Sequence, residues 1–196
     1  HVSSRRQRQM CIRDRTNDMS HLEEKEIFLE STSSMVFDRV NRIVYAGISP
    51  RTNAVQLIIW CRHNNYELVL FETESHTGSP IYHTDVLMYV GTEIIGICFD
   101  VITKEHRDYV KEKVSTYHDV VELSPEQIEK FCGNAIEAKN KNDELFLILS
   151  TTAYKALNEE QIEKLLKSYS DIIHSDIPTI EKYGGGSARC MLTELF

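Results

Sequence analysis

Residues 85–123 read DVLMYVGTEIIGICFDVITKEHRDYVKEKVSTYHDVVEL, and the order of elements in this stretch decides the fold. DVLMYV (85–90) and EIIGICF (93–99) are β-rich runs on either side of Gly91-Thr92, the pattern of a hairpin. Lys104–Thr116 is then a charged helix and Val120–Leu123 a strand. The same order recurs upstream, with SMVFD (34–38), RIVYA (42–46), a helix over 53–63 and the strand YELVLF (66–71). It recurs downstream too, with a hairpin of 135–138 and LFLIL (145–149), an amphipathic helix over 158–168 and a strand over 171–177. Between the last two units, Ser124-Pro125-Glu126 opens a short helix through Phe131, since serine caps a helix N-terminus and proline fits its first turn. A strand, strand, helix, strand unit therefore repeats about three times over residues 34–177. A doubly wound sheet also alternates α and β, but it does not place two strands before every helix. Such a unit cannot bury both its faces alone, so several copies must pack around a common centre.

Composition agrees with one ordinary globular domain. The chain has 196 residues, 41% of them apolar, and a formal net charge of −8 from 22 Lys+Arg against 30 Asp+Glu. That balance argues against an electrostatic grip on nucleic acid or anionic lipid, and no apolar run approaches the roughly 18 residues of a membrane span. The five cysteines, at 11, 61, 98, 132 and 190, form no CxxC pair, so neither a metal site nor a disulfide framework is expected and the setting reads as a reducing cytoplasm. Residues 1–15 (HVSSRRQRQMCIRDR) are different in kind: arginine-rich, without apolar periodicity and without the apolar region of a secretory signal. They resemble a translated sequencing-adapter remnant and are read as a non-native leader. Residues 16–196 are then expected to be the C-terminal part of a single domain whose natural start lies upstream.

Cys190 stands in YGGGSARCM (183–191). Successive glycines permit positive φ and close approach of a ligand, and the amides of Gly185 and Gly186 can form an anion-binding nest beside a sulfur that Arg189 also favours in its ionised form. The other cysteines have no such context. A nucleophilic cysteine needs a proton carrier brought in by the fold. Of eight histidines, His83 stands at a turn just before DVLMYV, where a side chain can point into a central cavity.

These stretches carry a resemblance. GGGSARCMLTELF, IYHTDVLMYVG, FLESTSSMVFD and AGISPRTN together resemble the arginine deiminase-related, guanidino-group-modifying (amidinotransferase) superfamily, closest to its citrulline-utilisation hydrolases, over about Phe28 to the end. The resemblance implies an α/β pentein, a propeller of five ββαβ units of which this chain would hold a part. It implies Cys190 as nucleophile, His83 as general acid/base and Glu30 as the carboxylate that binds the guanidine group or orients the histidine. It makes Asp85 and Arg51 substrate-binding residues, Arg51 for a substrate carboxylate, alongside Arg189, Gly185 and Gly186. Relatives usually have glycine near positions 31 and 33, where this chain has serine, and asparagine is expected at 85 in the nearest branch. Gly133-Asn134 matches a family turn and is read as structural.

The implied reaction is hydrolysis of a C–N bond in a small-molecule guanidino or ureido amino acid, citrulline or arginine-like, through a covalent thiouronium-type intermediate, with no cofactor or metal. With an amine in place of water the same groups make an amidinotransferase. A non-catalytic pentein, like the ribosome anti-association factor of that fold, has no reason to keep Cys190 with His83, whereas an inactive fragment that only binds stays open, as does a homodimer. If about three of five units are present, one side of the central cavity is open and one guanidine-binding carboxylate is absent.

Overall fold

A computed structural model describes residues 20–192; the leader at 1–15, Cys11 and the last four residues lie outside that range. A four-residue helical turn, α1 (Ser31–Ser34), precedes the first unit, which consists of β1 (Val36–Asp38), β2 (Ile43–Gly47), α2 (Ala54–Asn64) and β3 (Glu67–Phe71). The second consists of β4 (Met88–Val90), β5 (Ile94–Ile97), α3 (Lys104–Ser115) and β6 (Asp119–Glu122). After α4 (Pro125–Glu129) comes the third: β7 (Ile136–Lys139), β8 (Leu145–Ser150), α5 (Thr151–Ala156), α6 (Glu159–Ser168) and β9 (Asp171–Ser175). A last helix, α7 (Pro178–Tyr183), leads to a 3-10 turn over Arg189–Met191.

Each unit is its own three-stranded sheet, in chain order, with one antiparallel and one parallel pairing. In the second, Met88 pairs with Ile97 across the hairpin and Ile94 with Asp119 across the helical crossover. The crossover is required because two parallel neighbours cannot be joined by a tight turn. First strands lie side by side, β1 next to β4 and β4 next to β7, so they line the middle of the molecule. Strand β5 is buried along its whole length, and Ile94, Ile95 and Ile97 belong to a core shared by all three units. Met35, Val44, Ala46, Leu57 and Cys61 form a smaller core inside the first.

Local chemistry sets the element ends. Asn53 caps α2 by accepting from the amides of Val55 and Gln56, and Asn65 closes it in the left-handed region at φ 56°. Ser124 with Gln127 and Asn158 with Gln161 form reciprocal capping boxes on α4 and α6.

The structure departs from the sequence pattern in two places. The run 85–90 is not all strand: Thr84–Val86 is a 3-10 turn, and pairing starts at Met88. Buried Thr84 enforces the turn, its hydroxyl donating to Ser34 O at 2.7 Å and accepting from Gly47 N at 2.9 Å. Second, an extra helix, α5, precedes α6, capped by the Ser150 side chain. A serine at a strand end reads equally as a turn residue, so the pattern alone does not show it.

Candidate active site

Glu30 enters from the segment before α1, which is pinned to the loop before α2. Ser34, fully buried, accepts from Glu30 N at 3.2 Å and donates to Arg51 O at 2.9 Å. Ser31 adopts φ 48°, a left-handed conformation that costs a non-glycine residue about 1 kcal/mol; this is the physical reason for the glycine expected at that position. The carboxylate of Glu30 is shared. Its Oε2 meets His83 Nε2 at 2.5 Å and its Oε1 accepts from the Arg51 guanidinium at 2.6 Å. Partial burial works to raise the Glu30 pKa, but the hydrogen bonds from Arg51 and His83, and then their charges, outweigh it and hold the carboxyl below its usual range.

His83 and Asp85 flank Thr84, so the buried threonine fixes both. Asp85 is 2% exposed. Its Oδ2 lies 3.7 Å from Arg189 Nε and 3.8 Å from Cys190 Sγ, while its Oδ1 is buried with no hydrogen-bond partner. Burial pushes the Asp85 pKa up, offset in part by the charges of Arg189 and His83. Arg189 reaches the carbonyls of Ala135 at 3.2 Å and Thr32 at 3.5 Å, joining the third unit to α1 and forming a floor. Beyond it lies a cavity of about 150 Å³, whose walls include Asp38, Thr92 and Glu137.

Cys190 is exposed. Gly186 packs so tightly on it that a Cβ there would lie 2.8 Å from Sγ, and Gly185 turns the chain at φ 72°. The expected amide nest is not formed around the sulfur, because the polar atoms that reach Sγ belong to the side chains of Asn134 and Asp85. Gly185 offers its carbonyl instead, accepting from the Tyr82 hydroxyl at 3.0 Å. Tyr82 packs on His83 with ring centroids 4.6 Å apart and so ties the cysteine loop to the histidine loop. The other described cysteines, Cys61, Cys98 and Cys132, are buried; burial pushes the Cys98 thiol up to about 11 and Cys132 up to about 12.

The fold thus unites Glu30, His83 and Arg51 in one cluster and Cys190, Asp85 and Arg189 in a second, joined through the Thr84 turn. Arg51 points at Glu30. Asn134 and Tyr82 are the neighbours that sequence reasoning missed: the 133–134 turn was legible, but not the direction of its side chain.

With the ββαβ units set around an exposed cysteine, a histidine–carboxylate pair and a buried acid, the fold is that of a pentein of the guanidino-group-modifying superfamily. A family profile described as "N,N dimethylarginine dimethylhydrolase, eukaryotic" matches residues 7–196, and the chain belongs to that family. No curated protein matches the sequence. Among solved structures, ArgZ, an arginine dihydrolase from the ornithine-ammonia cycle in cyanobacteria, superposes with TM-score 0.64 at 18% identity, covering 85% of this chain and 25% of its own. AgrE, in a binary complex with L-arginine, gives 0.67 at 12% identity over 83% and 22% of the two chains. SxtG, an amidinotransferase from Microseira wollei in the saxitoxin biosynthetic pathway, gives 0.54 at 14% identity over 81% and 45%. The chain spans about a quarter of the length of the arginine dihydrolase and about half of that enzyme's isolated N-terminal domain. Among the described residues, no helix is long and apolar enough to cross a membrane.

Proposed function

We propose that this protein hydrolyses a C–N bond in the guanidino group of arginine or an N-methylated arginine through a covalent bond to Cys190. The observation that carries the reading is Asp85: a buried carboxylate with one unbonded oxygen, 3.8 Å from an exposed sulfur. A guanidinium supplies what this acid lacks, N–H donors and a positive charge, and binding it there sets the planar carbon against the sulfur. The Cys190 sulfur adds to that carbon. As the C–N bond breaks, His83, held by Glu30, delivers its proton to the departing nitrogen, and an S–C thiouronium remains. His83 then takes a proton from water, whose oxygen attacks the same carbon and releases the sulfur, leaving a ureido product.

The reading also holds that part of the substrate pocket, including a second guanidine-binding acid, lies outside these three units.

The test is release of ammonia from arginine and citrulline and of dimethylamine from N,N-dimethylarginine, with mass analysis of quenched protein for an adduct on Cys190. The adduct is expected on Cys190 and absent in Cys190→Ser, while Cys98→Ser and Cys132→Ser retain it. Equal loss in all three variants, or no adduct from any substrate, contradicts the reading.

A further inference from the structure

We propose that Asn134 is a catalytic residue, the hydrogen-bond donor that holds the ionised Cys190 sulfur in place beside Asp85. The inference rests on Cys190 being the nucleophile, but it concerns the sulfur alone and not the substrate.

Asn134 is 3% exposed and lies just before β7, in the connection between the second and third units. Its backbone is locked. Its own amide donates to Phe131 O at 2.9 Å, and Phe131 holds the left-handed turn at φ 65°. The preceding Gly133 lies so close to the 3-10 turn of the His83–Asp85 segment that a Cβ would come within 2.3 Å of Val86 O. No other residue type fits there without moving that backbone. The side chain therefore enters the site on a rigid support.

The direction of its amide is fixed as well. Nδ2 donates to the backbone carbonyl of Asp85 at 3.3 Å, and a flipped amide would set Oδ1 against that carbonyl, oxygen to oxygen. With one N–H spent on Asp85 O, the second is free for Cys190 Sγ, 3.2 Å away; the Oδ1 atom is farther from the sulfur, at 3.6 Å. One buried side chain thus measures the distance between the acid segment and the nucleophile.

The other polar and charged groups around the sulfur have partners of their own. Asp85 is an acceptor and, when ionised, opposes a negative sulfur. Arg189 is directed at Asp85 and at the carbonyls of Ala135 and Thr32. Tyr82 gives its hydroxyl to Gly185 O, and His83 Nε2 is engaged by Glu30. Asn134 Nδ2 donates to Sγ at 3.2 Å. A donor aimed at sulfur stabilises the thiolate over the thiol, and a hydrogen bond to a charged group is stronger than one to a neutral group.

The test is the rate at which iodoacetamide alkylates Cys190, followed by peptide mass from pH 6 to 10, in the wild type, Asn134→Ala and the nearly isosteric Asn134→Asp. Thermal melts identify which variants are folded. Near pH 7 the alanine variant is expected to react roughly tenfold more slowly, with the gap closing toward pH 10. The aspartate variant, which replaces the donor by an acceptor, is expected to be slower still at pH 7, and it carries the test if alanine does not fold. Asn134→Ser, which keeps a hydroxyl donor, should recover part of the rate. Alkylation rates independent of residue 134 in folded variants overturn the proposal. Protection of Cys190 by arginine, measured in the same experiment, reports separately on the guanidino reading.

Discussion

Among the described residues, two histidine–carboxylate pairs are wholly or partly buried, a third, His76 with Glu129, being exposed; of the two, only His83–Glu30 stands beside a segment that reaches Cys190. His83 Nε2 meets Glu30 Oε2 at 2.5 Å, and His118 Nε2 meets Asp38 Oδ2 at 2.7 Å. In both, burial works to raise the acid's pKa while hydrogen bonds, led by that from Arg51 in one case and His118 in the other, outweigh it and lower the value. The surroundings differ. The His83 and Glu30 side chains are 19% and 31% exposed, whereas those of His118 and Asp38 are 0% and 1%. Asn41 closes the second pair, donating to Asp38 from its backbone and its side chain at 2.9 Å, and His118 Nδ1 is buried with no partner. What sets the His83 pair apart is its neighbour: one residue along the chain from His83, the Thr84 turn brings in Asp85, which lies 3.8 Å from Cys190 Sγ. The His118 pair instead fastens the first unit to the end of α3.

Removing each histidine tests that division most severely. His83→Ala should cut turnover by about 10³-fold, the usual contribution of a positioned acid/base, with little change in a urea unfolding curve. His118→Ala should do the reverse, lowering stability by roughly 3 kcal/mol because a buried carboxylate is left without its partner, while activity per folded molecule stays near wild type. If both variants lose mainly stability, the comparison breaks.

Acid separates the pairs more finely. Asp38 has a lower pKa folded than unfolded, so its contribution to stability is fully present above the unfolded value near 4 and is lost as pH falls through the lower folded value. Urea unfolding between pH 6 and 2.5 should therefore show a steeper loss below about pH 4 in the wild type than in Asp38→Asn. The half-exposed Glu30 should contribute less, so Glu30→Gln should leave the slope closer to wild type. Equal flattening by both would mean that burial does not distinguish the two pairs.

Arg51 sharpens the same point at smaller scale. The sequence comparison makes it a partner for a substrate carboxylate, and the structure ties it to Glu30. Arg51→Ala should raise the KM for arginine about tenfold and, if the carboxylate role holds, raise that for agmatine less. Identical losses on both substrates would assign Arg51 to holding Glu30 alone.

The three-unit architecture was legible because each unit writes two β-rich runs before a helix, and the predicted pairs 34–38 with 42–46 and 135–138 with 145–149 form hairpins. The strand over 85–90 was overextended because apolar content there reflects burial, and one hydroxyl, Thr84, bends the backbone in a way that no periodicity records. Of the two glycines that mark the cysteine loop, Gly186 is packed against the sulfur and Gly185 has open space around it, and the donor that reaches Sγ comes from Asn134, 56 residues away. Patterns of residue type report which backbone a segment adopts; which side chain faces the sulfur depends on how three units meet.

The central claim is that Cys190 lies in a site shaped for a planar cation, with Asp85 to hold it. The most direct measurement compares alkylation by 2-chloroacetamidine, a cationic amidine, with alkylation by neutral chloroacetamide, site by site by mass spectrometry and with arginine as competitor. The account predicts that the amidine modifies Cys190 far faster than the neutral amide, that Asp85→Asn removes most of this preference, that arginine slows the reaction, and that Cys61, Cys98 and Cys132 stay unmodified while folded. Equal rates for the two reagents at Cys190, unaffected by Asp85→Asn or by arginine, would contradict it.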